Sequence, residues 1–387
     1  MASKSPVKQA FPASFYCHLS LHVVTRKSFY INCEGKNVLI AIATDAWYPQ
    51  PNGVVRVVGT VRDQLVARGH DVRVMSPDQF RTVPCPTYSE IRLAVLPARK
   101  VARWLDELQP DCVHIATEGP IGSAAKAYCV KHGWPFSSAF HTKFPEYLQA
   151  RTGLPLDWLY KGARRFHAPS GAVMVPAPAV YRELEARGFA NLKLWSHGVD
   201  TNVFRPMAKD YLDLPRPLFM FIGRVTVDKN LPAFLDLDLP GSKAVVGSGP
   251  ARDQLIKKYP ETPFFIAEND AELARYYNAA DVFVFPSRTD TFGLVMLEAL
   301  ACGVPVAAFP VTGPLDVIGS DGPGVLDEDL ASAAVRALDI APEKCREWAL
   351  GFSWDQVTDQ FLEFLQPINR GEAVPADGPE PRVQAVR

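Results

Sequence analysis

The chain has 387 residues, of which 48% are hydrophobic and 21% are charged, and these values are typical of a globular protein with two domains. The formal net charge of −1 argues against bulk binding of nucleic acid, and no apolar run approaches the length needed to span a membrane. The seven cysteines are odd in number and form no Cys-x-x-Cys pair, which predicts reduced thiols in a cytoplasmic protein and argues against a structural zinc site.

Residues 1–35 do not have the composition of a folded segment. They contain no acidic residue before Glu34, and serine and basic residues are frequent among them. This composition resembles that of a transit peptide, and a dispensable extension or an upstream start codon would give the same pattern. We favour the second interpretation and expect a disordered extension before the first domain.

The first domain, predicted over residues 36–205, opens with a strand, a loop and a helix. The apolar run 38–44 predicts a buried strand, Gly53 begins a helix that ends near Arg68, and a second strand follows over 70–76. The Gly-x-Gly-x-x-Gly fingerprint of dinucleotide-binding proteins is missing, which weakens a nicotinamide or flavin interpretation. Gly53 still allows one phosphate near its amide, and a simple turn glycine is the alternative.

The later part of the first domain carries one histidine of interest. The stretch 80–97 is proline-rich and partly extended, 135–142 predicts a strand, and 143–155 is aromatic and irregular. His141 falls at the carboxyl end of its strand, on the same edge as the loop before Gly53. A histidine there could hydrogen-bond a sugar hydroxyl or stabilise developing charge, or it could be a structural loop histidine.

The second domain, predicted over residues 206–350, repeats the plan of the first. Its first strand is the apolar run 218–223, Arg224 lies at the carboxyl end of that strand, and Lys229 follows at the start of a helix. An arginine offers a fork of donors to phosphate oxygens and a lysine offers a compact point charge. The pair therefore suits a nucleotide diphosphate, and a solvated pair of surface bases is the alternative.

The stretch 281–306 is the most informative part of the chain. It predicts a buried strand over 282–285, a loop, a helix that starts near Phe292 and ends at Gly303, and a further strand over 304–309. In open parallel sheets, ligands bind at the carboxyl ends of strands, which is where this loop lies.

Two acidic residues flank the start of this helix. Asp290 lies just before it and Glu298 lies in its second turn, with seven residues between them. The first helical N–H groups, near Gly293 and Leu294, have no partner within the helix and form an anion site. The two carboxylates could thus bind hydroxyl groups of a ligand whose phosphates meet the helix end.

At these residues the chain resembles the retaining glycosyltransferases of family 4, which have the GT-B fold. The resemblance consists of the two acidic residues seven apart, the following Ala-x-x-x-Gly-x-Pro-Val at 299–306, and Gly-Arg-x-x-x-x-Lys-Asn at 223–230. The family more often has glutamate at the position of Asp290. The resemblance implies an α/β protein in which two Rossmann-like, doubly wound domains face each other across a cleft.

The resemblance also implies roles for individual residues. Four would act in catalysis, because they contact the transferred sugar or the leaving diphosphate: His141, Arg224, Lys229 and Asp290. Six would bind the nucleotide part of the donor: Gly53, Gly249, Phe292, Gly293, Leu294 and Glu298. In the family the cations replace a metal, so no metal and no cofactor is expected, and the nucleotide diphosphate sugar is a co-substrate.

The implied reaction moves a hexose to an acceptor with retention of configuration and forms an α-glycoside. The sequences of residues 44–54 and 287–299 are most similar to those of bacterial GDP-mannose-dependent α-mannosyltransferases. We therefore predict mannose as the sugar and a lipid or an oligosaccharide as the acceptor, with glycolipid biosynthesis as the setting. A lipid acceptor implies peripheral contact of a cytoplasmic protein with the inner face of the membrane.

Four alternatives remain open at this stage. Two stay within the fold, namely a UDP-sugar-dependent glycolipid transferase, such as a sulfoquinovosyl transferase, and a disaccharide phosphorylase. A non-catalytic nucleotide-sugar-binding protein and a nicotinamide oxidoreductase are the other two.

The end of the chain is predicted to leave the second domain. Residues 351–366 form an amphipathic pattern, and in the GT-B fold the last helix crosses back onto the first domain. Proline, glycine and charge dominate from Pro367 onward, which predicts a disordered tail over 367–387.

Overall fold

The computed structural model describes residues 37–50, 53–85, 88–288, 290 and 292–369. Two six-stranded parallel sheets, each covered by helices, organise these residues, which is the predicted GT-B architecture. The predicted extension 1–35 and residues 370–387 of the predicted tail lie outside the described residues.

The first sheet has the strand order β2-β1-β5-β6-β7-β8. Its central strand β1 is a buried apolar run because neighbours pair with it on both sides and helices cover both faces. The elements of this half are β1 Leu39–Ala43, α1 Gly53–Ala67, β2 Asp71–Met75, β3 Thr82–Cys85, β4 Tyr88–Ala94, α2 Ala98–Leu108, β5 Cys112–Ile115, α3 Pro120–His132, β6 Ser137–Ala139, α4 Phe144–Thr152, α5 Leu156–His167, β7 Ala172–Val175, α6 Pro178–Ala186 and β8 Leu192–Leu194.

The second sheet has the strand order β11-β10-β9-β12-β13-β14, so its order reverses between β9 and β12. Ligands of open α/β sheets bind at such a reversal, outside the carboxyl ends of the strands. The elements of this half are β9 Leu218–Ile222, a 3₁₀ turn Val227–Lys229, α7 Pro232–Leu235, β10 Ser242–Val246, α8 Arg252–Lys258, β11 Phe264–Phe265, α9 Asp270–Ala279, β12 Val282–Phe285, α10 Leu294–Ala301, β13 Val306–Ala308, α11 Pro314–Val317, β14 Gly324–Leu326, α12 Leu330–Ala337, α13 Pro342–Leu350 and α14 Trp354–Phe364.

One prediction about the secondary structure of the first half was wrong. The stretch 143–155, predicted to be irregular, contains helix α4, which begins with Pro145 in its first turn and ends at Gly153 in the left-handed conformation. Those two residues are ordinary start and stop signals, and the aromatic residues Phe144 and Tyr147 led to the wrong prediction.

Helix α14 lies against helix α1 of the first half. Its residues Trp354, Val357 and Phe361 share one hydrophobic core with the buried valines of α1. The indole N–H of Trp195 donates to the main-chain oxygen of Val357 at 2.9 Å. Beyond the helix, Pro367 forms an antiparallel bridge with Cys112. The described start of the predicted tail is therefore paired with the first residue of β5.

We expect Phe361→Ala to lower the free energy of unfolding by about 3–5 kcal/mol, because the ring is 1% exposed and its removal leaves a cavity between α14 and the first sheet. Thermal unfolding measures the loss as a lower midpoint. Phe364→Ala is the matched control, since Phe364 lies on the same helix and is only partly buried. Equal shifts in the two variants would contradict this packing.

Candidate functional site

Two loops meet where the second sheet reverses its order. Strands β9 and β12 are neighbours, and the loops that follow them begin at Gly223 and Pro286. The Asn230 side-chain amide donates to the oxygen of Pro286 at 3.2 Å, and the Ser287 hydroxyl donates to the oxygen of Asp228 at 3.3 Å. The loop with the two bases and the loop with the first acidic residue are therefore held side by side.

Lys229 and Asp290 form an ion pair between these loops. The lysine Nζ lies 2.6 Å from the Asp290 Oδ2, and the side chains are 20% and 17% exposed. Lys229 is the last residue of the 3₁₀ turn, so it does not begin a helix as predicted. A lysine in this position can transfer its hydrogen bonds from a carboxylate to a phosphate, because both ligands accept the same charge-assisted bond.

Arg224 directly follows Gly223 and is partly buried. The loop after β10 packs against this segment without space for side chains. A Cβ on Gly249 would lie 2.3 Å from the main-chain oxygen of Val225, and a Cβ on Gly247 would lie 1.9 Å from that of Gly223. Close contact between the loops thus requires glycine at 249, and the nucleotide contact predicted for Gly249 stays a prediction.

Helix α10 begins at Leu294, two residues later than predicted, with Gly293 as its left-handed N-cap at φ 85°. Phe292 is buried rather than open to the loop. The first turn of α10 faces the start of α1, since a Cβ on Gly53 would lie 3.9 Å from the Leu294 Cδ1. Two helix N-termini from opposite domains therefore meet here, and their N–H groups favour an anion.

Glu298 is 3% exposed and both of its oxygens have partners. Its Oε1 lies 3.0 Å from Nη1 of Arg56 on α1, and its Oε2 accepts a hydrogen bond from the Tyr277 hydroxyl at 2.8 Å. Burial raises the pKa of the Glu298 carboxyl, and the charge of Arg56 and the Tyr277 hydrogen bond oppose this. The ribose contact predicted for Glu298 stays a prediction, and it would have to share this carboxylate with Arg56.

Arg56 is the residue that the sequence analysis missed. Its second nitrogen, Nη2, lies 2.9 Å from the Asp270 Oδ2, so one arginine of the first domain binds two carboxylates of the second. Its guanidinium also lies 5.4 Å from the centre of the Phe204 ring. The available signal was an arginine in the first turn of the helix that Gly53 begins.

His141 lies two residues after β6, at the edge where its strand was predicted to end, and it is buried. Its ring is 5.7 Å from that of Trp195 and 5.9 Å from that of His197. The His197 ring packs against the Phe292 ring, with centroids 5.0 Å apart. The pair of histidines therefore contacts the loop before α10. Burial lowers the pKa of His141 well below its usual value and that of His197 to about 4, so both rings are neutral at pH 7.

Neither a metal centre nor a membrane span is found in the described part of the chain. Those residues contain no cluster of three or more His, Cys, Asp or Glu arranged to bind a metal ion. None of the helices described is both long and apolar enough to cross a bilayer.

The chain is similar in sequence to glycosyltransferases. A GDP-mannose-dependent alpha-mannosyltransferase of Mycobacterium tuberculosis is 28% identical over 86% of this chain and 97% of its own length. A sulfoquinovosyl transferase of Arabidopsis thaliana is 30% identical over 69% of this chain and 55% of its own length. An alpha-monoglucosyldiacylglycerol synthase of Acholeplasma laidlawii is 26% identical over 69% of this chain and 79% of its own length.

The fold is shared with solved structures. A sucrose-phosphate synthase from Thermosynechococcus elongatus superposes with a TM-score of 0.65 at 20% identity, over 84% of this chain and 97% of that one. Residues 51–203 match the model of Glycosyltransferase Family 4, and residues 216–340 match that of Glycosyl transferases group 1. Together with the two six-stranded parallel sheets, these matches identify the protein as a glycosyltransferase of family 4 with the GT-B fold.

Proposed function

We propose that the protein is a retaining glycosyltransferase that moves mannose from GDP-mannose to a lipid acceptor and forms an α-glycosidic bond. The observation that carries this proposal is the Lys229–Asp290 ion pair at the reversal of the second sheet, beside the start of α10. A base, an acid and a helix N-terminus at one edge match a donor that is a diphosphate at one end and a polyol at the other.

The diphosphate is the leaving group and gains charge as the glycosidic bond breaks. Arg224 and Lys229 supply two positive charges after the carboxyl end of β9, and the start of α10 supplies N–H groups. Groups that are oriented before reaction stabilise this charge without a cost of reorganisation. On binding, the phosphate replaces Asp290 as the partner of Lys229, which leaves the aspartate to accept hydrogen bonds from the sugar.

His141 completes the sugar side of the proposed site. Because its buried ring is neutral at pH 7, it hydrogen-bonds a hydroxyl rather than donating a proton as an acid. Glu298 accepts hydrogen bonds from the ribose. We assign no side chain as a nucleophile, and the proposed mechanism contains no glycosyl–enzyme intermediate.

GDP-mannose is supported by the relatives whose names contain it, which align along nearly their whole length. A UDP-sugar donor is the second candidate. The names of the sulfoquinovosyl and monoglucosyldiacylglycerol relatives support a transferred sugar other than mannose.

A lipid acceptor is supported by one surface of the first domain, which we term the hairpin patch. It combines exposed apolar residues of the β3–β4 hairpin and the following turn with exposed bases. Leu96 is 89% exposed and lies beside Val95. The patch consists of Val83, Val95, Leu96, Arg81, Arg92, Arg99, Lys100 and Arg103. Apolar tips among bases are typical of surfaces that bind anionic bilayers.

Thermal unfolding with excess GDP, UDP and ADP tests the donor site. We expect GDP at a hundred times its dissociation constant to stabilise the protein by roughly 2.7 kcal/mol. The Lys229→Ala variant should lose this shift. Lys209→Ala is the matched control, because Lys209 is a lysine of the same domain that also pairs with a carboxylate, that of Asp281. A shift with UDP alone would mean that the donor is a UDP-sugar. No shift with any of the nucleotides would contradict the proposed transferase function.

Steady-state turnover of GDP-mannose tests the role of the lysine in the reaction. Lys229→Ala should reduce turnover by roughly 10²–10³-fold, because one fixed charge at the leaving group is lost. Turnover near that of the unsubstituted protein in this variant would remove Lys229 from the site.

Co-sedimentation with vesicles tests the hairpin patch. We expect binding to vesicles that contain phosphatidylglycerol, weaker binding at high salt, and little binding to pure phosphatidylcholine. Leu96→Asp should reduce binding at least several-fold, because it places a negative charge at the apolar tip. Leu350→Asp is the control, since Leu350 is exposed on helix α13 of the other domain. Equal binding by both variants would contradict the patch as the docking surface.

A further inference from the structure

Arg56 is the charged connection between the two domains at the cleft. It lies in the first turn of α1, whereas its two carboxylate partners lie on α9 and α10 of the second domain. The Nη1–Glu298 and Nη2–Asp270 distances are 3.0 and 2.9 Å. Tyr48, Asp200 and Leu294 line the same cleft. The guanidinium therefore lies in the wall of a pocket that it shares with Leu294 and Glu298, two residues predicted to bind the nucleotide.

Glu298 has acceptor capacity left after its two contacts. A carboxylate offers about four lone-pair positions, and Arg56 and Tyr277 occupy one on each oxygen. A pair of ribose hydroxyls requires two more. A protonated carboxyl has fewer acceptor positions and makes weaker hydrogen bonds, so two hydroxyls in addition to Arg56 and Tyr277 require an ionised Glu298. A buried carboxylate stays ionised only when a cation or hydrogen bonds compensate for the lost water.

The charged and titratable groups around Glu298 come from four helices. Arg56 approaches from α1, Tyr277 and Asp270 from α9, and Cys302 follows at the end of its own helix α10. Arg346 of α13 directs its guanidinium to the main-chain oxygens of Phe204 and Ala301. Among the described residues, the cation in contact with the Glu298 carboxylate is thus Arg56, while Asp270 opposes ionisation.

We propose that Arg56 is a positioning residue of the donor site, which holds the Glu298 carboxylate charged and oriented for the ribose hydroxyls from the opposite domain. The inference rests on the proposed function, because it takes Glu298 as the ribose acceptor. It adds that the second domain does not recognise the nucleotide alone. Ribose recognition depends on the first domain being docked, since the residue that prepares the carboxylate belongs to α1.

Titration calorimetry with GDP and 2′,3′-dideoxy-GDP between pH 6 and pH 9 tests this role. The unsubstituted protein should bind GDP at least roughly ten-fold more tightly than the dideoxy analogue at pH 7. Arg56→Met should weaken GDP binding about ten-fold at pH 7 and reduce the preference to about two-fold. Without the arginine the pKa of Glu298 rises further, so the affinity of the variant for GDP should increase as pH rises.

Two further variants separate positioning from a structural role. Arg56→Lys keeps a positive charge, so it should restore most of the GDP affinity and abolish the rise of affinity with pH. This variant also tests the proposal if Arg56→Met does not fold. Arg68→Met is the matched control, because Arg68 follows α1 and also binds two carboxylates of another helix, those of Asp355 and Asp359. Its preference for GDP and its pH profile should match those of the unsubstituted protein.

Each remaining outcome has one meaning. No GDP binding by the unsubstituted protein would contradict the proposed function itself. GDP binding without a preference over the dideoxy analogue would overturn the inference, because Glu298 would not bind the ribose. An Arg56→Met variant with the original preference and a flat pH profile would also overturn it, while the transferase proposal would stand.

Discussion

The parallel pairing of β9 with β12 is the constraint on which the rest of the site depends. Parallel neighbours end at the same edge, so the loops after them must lie side by side. The strand order reverses at this pair, which leaves a crevice instead of a crossing helix. Lys229 and Asp290 are 61 residues apart in sequence, and this strand pairing brings the Lys229 Nζ to 2.6 Å from the Asp290 Oδ2.

Charge balance at this edge makes a stable arrangement compatible with the anion binding that we propose. A partly buried lysine and aspartate that neutralise each other avoid the cost of an unpaired charge. Across the cleft, Arg56 neutralises Glu298 in the same way, and Asp270 is a second acidic partner of this arginine. In the function that we propose, a phosphate would replace Asp290 as the partner of Lys229, whereas Arg56 would share Glu298 with the ribose hydroxyls.

The fold, and the edge at which the candidate residues Lys229 and Asp290 meet, were predictable from the sequence because their signals are local. The buried run before Asp290, the glycine that closes α10 and the glycine-arginine pair after β9 each lie within one strand-loop-helix unit. The start of α10 was misplaced by two residues, since Gly293 in the left-handed conformation is both the end of the loop and the N-cap. Helix α4 was missed because aromatic residues outweighed its proline and glycine boundaries.

The partners of the predicted site residues were not predictable in the same way. The cation that pairs with the Glu298 carboxylate is set by how α1 of one domain faces α9 and α10 of the other. No local sequence pattern predicts that contact. The hairpin patch depends on the β3–β4 pairing, which places Val83 opposite Leu93 and leaves Leu96 in the turn that follows. Tertiary arrangement decides these features, as it does for long-range contacts in general.

A crystal structure of the protein with GDP would show whether Lys229 binds the diphosphate at the β9–β12 edge. The account predicts that a diphosphate oxygen lies within about 3 Å of the Lys229 Nζ, that Asp290 has lost this partner, and that the ribose hydroxyls contact Glu298 while Arg56 still binds it. A nucleotide bound away from the β9–β12 edge, with the Lys229–Asp290 pair intact, would contradict it.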